Sequence, residues 1–157
     1  MVENTKIDLQ CMLDRLRPGE SLLPPIVIRD AVPLADRAID ALIEVSFAAD
    51  NALERFYVEC KTRSTPDAFR KAIEQASDNA KRLDCHPLIF LPFLSPDRLK
   101  ELEDLAVSGI DLCGNGFVYV PNHLCVLRIA DRPSKIIPTP DRSRILIVVV
   151  QRLSLGC

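Results

Sequence analysis

The 157-residue sequence contains no tryptophan, and aromatic residues make up only 5% of it. Proteins that hold single-stranded nucleic acid on stacked aromatic platforms need more aromatic side chains, so this composition argues against that class. An excess of one charge is also missing, because 20 Lys and Arg residues oppose 22 Asp and Glu residues, for a net charge of −2. The near-zero charge excludes an overall polycation, and any contact with nucleic acid would need a local basic patch.

Closely spaced cysteine and histidine pairs are absent as well. The six cysteines are scattered without a CxxC pair, and the two histidines, His86 and His123, lie far apart in the sequence. Structural zinc sites use close ligand pairs, and disulfide frameworks have characteristic cysteine spacings, so neither is expected here. The pattern predicts reduced, mostly buried thiols in an intracellular protein.

Long hydrophobic segments are also missing. The first residues contain no apolar region of the signal-peptide kind. The apolar run Ile145–Val150 is far shorter than the roughly 20 residues that span a bilayer. We therefore expect a cytoplasmic protein with no membrane contact. The length, together with a hydrophobic share of 48%, predicts a single folded domain over residues 1–157.

Hydrophobic periodicity predicts an α/β fold with a mixed β-sheet. Residues 38–47 and 55–63 alternate between apolar and polar, which indicates two strands of an antiparallel hairpin joined by a turn at 48–54. A helix starting at Ser64 and a buried strand at 87–94 follow, which gives a parallel βαβ unit. The remaining predicted elements are a helix at 5–17 capped by Thr5, an edge strand at 26–28, a helix from Ser95 to a C-terminal Gly109, and short strands at 110–112 and 117–129.

The polar face of the predicted hairpin brings acids and a lysine together. A turn near Asn51 would set Asp40 opposite Thr62, within a residue or two, and therefore beside Glu59 and Lys61. Two converging carboxylates are costly unless a cation or a proton lies between them. Carboxylates are hard oxygen ligands suited to Mg²⁺ or Mn²⁺, and a neighbouring lysine can orient or deprotonate a water.

These residues resemble the PD-(D/E)xK signature of the restriction-endonuclease-like nuclease superfamily. Asp40, an apolar strand and a turn precede Glu59-Cys60-Lys61, and the helix that follows carries Gln75, as in prokaryotic DNA-cleaving members. The sequence departs from the pattern at Ile39, where the signature has Pro, and at Asn79, where some branches have Tyr. The resemblance covers about residues 20–129 and implies an αβββαβ core with C-terminal strand additions and a tail at 130–157.

What the resemblance implies is a metal-dependent nuclease that hydrolyses phosphodiester bonds of DNA. Asp40, Glu59 and the backbone carbonyl of Cys60 would hold Mg²⁺ or Mn²⁺. Lys61 would orient or activate the attacking water, and Gln75 would support the site. Fold resemblance alone does not decide activity. A catalytically inactive module on the same fold, binding DNA or a protein partner, is therefore the alternative.

Several charged residues near this constellation are further candidates. Glu20 and Glu44 are additional candidate metal ligands. Residues 55–82 hold seven basic and four acidic side chains, a local excess of three positive charges, and Arg63, Arg70 and Lys71 are the candidate phosphate contacts. The competing interpretation is an ordinary solvated sheet and helix surface with paired charges.

Three features of the sequence point to structure or assembly instead. Gly114-Asn115-Gly116 lacks a third glycine and a following helix, which indicates a tight turn and not a nucleotide-binding loop. His86, before a proline at a strand entrance, is predicted to be structural. Pairing of Ile145–Val150 between chains would favour an oligomeric scaffold. A homodimer and membership of a larger protein or system also stay open.

Overall fold

A computed structural model of the chain describes residues 2–23, 26–33, 40–47, 52–121 and 124–128. Within these ranges the fold is α/β, as predicted, with three helices and an eight-stranded mixed sheet. The helices are α1 (Val2–Arg15), α2 (Pro66–Leu83) and α3 (Pro96–Leu105). The strands are β1 (Ser21–Leu23), β2 (Ile26–Pro33), β3 (Asp40–Phe47), β4 (Leu53–Cys60), β5 (His86–Leu91), β6 (Ser108–Asp111), β7 (Gly116–Val120) and β8 (Leu124–Arg128).

The order of the strands in the sheet is the same as their order in the chain. Strands β1 to β4 are antiparallel neighbours, and so are β6 to β8. Strands β4, β5 and β6 are parallel, because α2 and α3 connect them. The predicted βαβ unit is therefore β4–α2–β5, and the sheet is mixed as the sequence indicated.

Two hydrophobic clusters lie on opposite faces of the sheet. On one face, Met12 of α1 and Leu16, which follows the helix, pack with Ile43, Phe56 and other inward side chains of the strands. On the other face, α2 and α3 cover Tyr57 and the alternate residues of β5. The strands are covered on both sides where they are parallel, which explains why β5 is a continuous apolar run.

Helix α2 spans Pro66–Leu83 and begins two residues after its predicted start at Ser64. Thr65 is the N-cap, with its side-chain oxygen accepting from the backbone N–H of Ala68 at 3.1 Å, and Pro66 opens the first turn. The helix ends at Asp84, which has a positive φ of 53°. Its buried stripe contains one large residue and three alanines, which are Phe69, Ala72, Ala76 and Ala80. The alanines allow the helix to approach the sheet closely.

The edge strand and the first helix differ from their predicted bounds. Residues 26–28 lie inside the sheet, because β1 pairs with β2 on the side away from β3 and takes the edge position among the described strands. Thr5 lies within α1 and does not cap it, since the helix spans Val2–Arg15. The three-residue β1 is not predicted from the sequence, because Pro24-Pro25 follows it directly and prolines usually interrupt a strand.

Gly109 is not the C-terminal residue of α3, as the sequence had suggested. Ala106 takes the left-handed conformation instead, with φ 55°, and the N–H of Val107 returns to the carbonyl of Leu102 at 3.0 Å. Gly109 belongs to β6, where a side chain would clash with Leu102 and crowd Ile89. The glycine is therefore required by the close approach of α3 to the sheet.

Asp111 secures the loop around Gly114–Gly116 and is fully buried. Its two carboxylate oxygens accept from the backbone N–H groups of Leu94, Cys113 and Asn115 and from the Asn115 amide, at 2.7–2.8 Å. These bonds support the interpretation of this segment as a tight turn. The predicted tail at 130–157, including Ile145–Val150, and His123 lie outside the described residues.

None of the described helices is long and apolar enough to cross a membrane.

Candidate functional site

The register between β3 and β4 places two carboxylates side by side. Asp40 is the direct cross-strand partner of Glu59, three residues from the predicted partner Thr62. The prediction was wrong because Leu53 and Glu54, assigned to the turn, are already in β4, where they pair with Ser46 and Val45. Direct partners in an antiparallel pair point to the same face, with β-carbons about 4.5–5.5 Å apart.

Glu59 and one carboxylate oxygen of Asp40 are withdrawn from solvent. The exposed fraction of Glu59 is 5%. The hydroxyl of Tyr57 donates to Glu59 Oε1 at 3.0 Å, and Lys61 Nζ lies 3.5 Å from Glu59 Oε2. Asp40 Oδ1 is buried and accepts no hydrogen bond from any residue that the structure describes. An acceptor left without a donor in a buried place is costly, so Asp40 marks an incomplete environment.

Electrostatics at this point favour a bound cation or a proton. Burial and then the neighbouring Asp40 raise the pKa of Glu59 above its ordinary value, although the Tyr57 hydrogen bond and the Lys61 charge partly oppose the shift. Burial and then the charges of Glu59 and Asp40 strongly raise the pKa of Tyr57, so its hydroxyl is a donor at neutral pH. A divalent cation bound beside the two carboxylates would offset their mutual repulsion and so oppose the rise in the pKa of Glu59.

Lys61 is held toward the carboxylates and not toward solvent. It follows β4 directly, and its backbone N–H donates to the carbonyl of Phe90 on β5 at 3.0 Å. Its ammonium donates to Gln75 Oε1 at 2.5 Å, and its side chain is 27% exposed. The structure therefore brings together four predicted residues, Asp40, Glu59, Lys61 and Gln75, on the face of the sheet that α2 covers.

Tyr57 and Asn79 belong to the same hydrogen-bonded group, although the sequence pattern gave neither a role in it. Asn79 Nδ2 donates to the Tyr57 hydroxyl at 3.1 Å, and Arg82 donates to Asn79 Oδ1 at 2.5 Å. The signal that could have revealed them is spacing. Gln75 and Asn79 are four residues apart on one helix face, and Tyr57 is two residues before Glu59 on one strand face.

Glu20 and Glu44 do not join the carboxylate pair. Glu44 faces Arg55 across the β3–β4 pair at 3.9 Å, and both side chains are substantially exposed, as the solvated-surface interpretation expects. Glu20 is exposed. In the part of the chain that the structure describes, no three His, Cys, Asp or Glu side chains are grouped as a metal site. Among the described residues, the carboxylates of Asp40 and Glu59 are thus the side chains available to bind a metal ion.

Cys60 lies between Glu59 and Lys61, and its thiol belongs to the cluster on the opposite face of the sheet. Burial and then the Asp40 and Glu59 charges raise the pKa of this thiol strongly. A neutral buried thiol is a poor metal ligand. Any contribution of Cys60 to a metal would therefore come from its backbone carbonyl, which stays a prediction.

The predicted basic contacts lie around the start of α2. Arg63 and Arg70 are exposed, and Lys71 pairs with Asp67 at 3.2 Å on the solvent side of the helix. Arg98 of α3, which the sequence did not single out, lies over the ring of Phe69 at 5.1 Å and donates to the carbonyl of Ser64. Arg98 thereby fixes the segment between Lys61 and α2.

His86 has structural contacts, in agreement with its predicted role. Its Nε2 lies 3.0 Å from a carboxylate oxygen of Glu54, and its ring packs against Phe56 with centroids 5.4 Å apart. These contacts tie the beginning of β5 to the beginning of β4. Glu59 lies at the other end of β4, where Asp40 of β3 pairs with it.

Comparison with known proteins gives little beyond these observations. No family model matches the sequence, and no curated protein matches it. Among solved structures, that of EndoMS in apo form aligns with a TM-score of 0.36 at 11% identity, over 71% of this chain and 45% of that chain. The chain spans less than half the length of that protein, and a likeness at this TM-score carries no argument about fold or function.

Proposed function

We propose that this chain is a metal-dependent nuclease that hydrolyses phosphodiester bonds of DNA on a restriction-endonuclease-like core. The observation that carries the proposal is the buried Asp40 Oδ1, which accepts no hydrogen bond within the described residues and stands beside Glu59. A protein surface that merely exposes charges to water has no reason to bury such an atom.

The residues present suit Mg²⁺ or Mn²⁺. Asp40 and Glu59 supply hard carboxylate oxygens from adjacent strands, and the backbone carbonyl of Cys60 is the proposed third protein ligand. Two protein carboxylates with water and phosphate oxygens are a usual ligand set for Mg²⁺. When bound, the ion would polarise a phosphate oxygen and lower the pKa of a bound water.

The chain's own residues supply position and charge. Lys61 stands 3.5 Å from Glu59, where its ammonium can hold the attacking water and balance negative charge on the phosphate. Gln75 fixes the direction of that ammonium by accepting one of its three protons. Arg63, Arg70 and Lys71 are the proposed contacts for flanking phosphates.

The experiment is cleavage of plasmid and single-stranded DNA with Mg²⁺ or Mn²⁺, compared for the parent chain, Glu59→Gln and Lys61→Ala. We expect cleavage by the parent that chelation abolishes and a loss of about 10²-fold or more in each variant. Lys100→Ala, an exposed lysine of α3, is the matched control and should cleave like the parent.

Two results would contradict the nuclease proposal. One is no cleavage by the parent with either metal on any substrate, and the other is equal cleavage in the parent and both site variants. Metal-independent DNA binding without cleavage would instead support the inactive binding module.

A further inference from the structure

Helix α2 contacts strand β4 and Lys61, the residue that follows the strand, through two pairs of polar side chains. Gln75 Oε1 accepts a hydrogen bond from the ammonium of Lys61, and Asn79 Nδ2 donates one to the Tyr57 hydroxyl. The two amides are one helical turn apart on α2. Tyr57 lies two residues before Glu59 in β4, and Lys61 lies two residues after Glu59, directly beyond the end of the strand. Glu59 is therefore held from both sides by residues that α2 itself fixes.

The hydrogen bonds through Tyr57 have a defined direction. Arg82 has only donors, so the atom of Asn79 that it contacts must be the amide oxygen. The Asn79 nitrogen then donates to the Tyr57 oxygen, and the single hydroxyl proton of Tyr57 remains for Glu59 Oε1. The chain of donors runs from Arg82 through Asn79 and Tyr57 to Glu59.

This arrangement gives the two carboxylate oxygens of Glu59 different partners. Oε1 accepts from Tyr57 at 3.0 Å, whereas Oε2 faces Lys61 at 3.5 Å, a distance longer than a normal hydrogen bond. A carboxylate free to rotate would present either oxygen or both. Tyr57 fixes the plane of this one and leaves Oε2 on the side of Lys61.

We propose that Tyr57, oriented by Asn79, is a positioning residue that fixes Glu59 for metal binding. The proposal rests on the metal site of the proposed function. Partners that hydrogen-bond a ligating carboxylate orient it, and their removal typically lowers metal affinity by about 10–100-fold. Asn79 acts only through Tyr57, so the effects of changing the two residues should not add.

The test is calorimetric titration of Mn²⁺ into the full chain for the parent, Tyr57→Phe, Asn79→Ala and the double variant. We expect Tyr57→Phe to weaken Mn²⁺ binding by roughly 10-fold. Asn79→Ala should weaken binding less, and it should change nothing further when Tyr57 is already Phe. Residues in contact can also be non-additive in stability, so urea unfolding of the same variants measures any loss of stability separately from the loss of Mn²⁺ affinity.

Tyr119→Phe is the matched control, because Tyr119 is the other tyrosine of the chain and packs against Phe117 with ring centroids 6.1 Å apart. It should bind Mn²⁺ like the parent. If Tyr57→Phe does not fold, Asn79→Ala alone decides, because it removes the donor to Tyr57 and keeps the Tyr57 hydroxyl, and parent-like affinity in it would overturn the proposal. The variant also removes the acceptor of Arg82, which is exposed and can be solvated by water.

The outcomes separate the two proposals. If the parent binds Mn²⁺ and Tyr57→Phe binds it equally well, the positioning role is wrong and the nuclease proposal stands. Additive losses in the double variant would also contradict the positioning role. If the parent binds no Mn²⁺, both proposals fall together.

Discussion

The buried carboxyl of Glu59 links the candidate metal site to the stability of the fold. It is almost fully buried, and the charge of Asp40 next to it makes ionisation unfavourable in the folded state. A carboxyl with a raised pKa binds its proton more tightly when folded than when unfolded. Its contribution to stability is therefore fully present below the unfolded pKa, near 4.5, and is lost as the pH rises through the folded value.

The substitution Glu59→Gln removes this charge and keeps an acceptor for Tyr57. Without metal at pH 8, we expect the free energy of unfolding of the variant to exceed that of the parent by about 1–3 kcal/mol, which is the desolvation cost of a buried polar group. The variant should therefore unfold at a higher urea concentration. The difference should shrink toward zero as the pH falls to about 4.5. Urea unfolding in the presence of a chelator at several pH values measures it, and a parent that is more stable than the variant at pH 8 would contradict this expectation.

At the residue scale, alternation in the sequence was sufficient to place Asp40, Glu59 and Lys61 on one face. It could not show that Tyr57 and Asn79 contact each other, because that bond depends on where α2 crosses the sheet. The crossing is set by the packing of Phe69 and the small residues of the helix, which periodicity does not describe.

Helix α2 is the element that completes the site. It carries Gln75 and Asn79, and its distance from the sheet is set by Ala72, Ala76 and Ala80, which are 0%, 0% and 1% exposed. These small side chains leave no space for larger ones without moving the helix.

Ala76→Leu should therefore affect both the fold and the site. We expect a loss of about 1–3 kcal/mol in the free energy of unfolding, because the helix must move outward to admit the larger side chain. Mn²⁺ affinity should also fall, since Gln75 and Asn79 move with the helix. Lys81→Leu, at an exposed position of the same helix, is the control and should change stability by less than about 0.5 kcal/mol. Unchanged Mn²⁺ affinity in a destabilised Ala76→Leu variant would count against this role of α2.

The elements themselves were more predictable than their register. The predicted helix starts at Ser64 and Ser95 lie within two residues of the starts of α2 and α3, and alternation indicated β3 and β4. The three-residue error in the hairpin arose because Leu53 and Glu54 lack a clear strand pattern when read alone. Pairing with β3 includes Leu53 and Glu54 in the sheet, which is a long-range effect.

At the scale of the whole molecule, charge is unevenly distributed. The chain carries a net charge of −2, whereas residues 55–82 have three more basic than acidic side chains. Any affinity for DNA that depends on this segment should fall strongly as the salt concentration rises. The single domain over 1–157 and a cytoplasmic location stay predictions at this scale.

Substituting Ala for Arg63, Arg70 and Lys71, the three proposed phosphate-binding residues, should flatten the salt dependence. The slope of log affinity against log salt should fall by about 0.9 for each duplex phosphate that the variant no longer neutralises. Fluorescence anisotropy with a labelled duplex and a chelator, over a series of salt concentrations, measures it. Lys100→Ala should keep the parent slope, and a triple variant that also keeps it would place the DNA elsewhere.

The central claim is that Asp40 and Glu59 hold a divalent cation, and the most direct measurement is anomalous X-ray scattering from crystals of the chain soaked in Mn²⁺. We predict a manganese peak between the Asp40 and Glu59 carboxylates, with ligand oxygens at about 2.0–2.6 Å. The claim would be contradicted by the absence of that peak at a Mn²⁺ concentration that supports cleavage, or by the Lys61 ammonium occupying the space between the two acids.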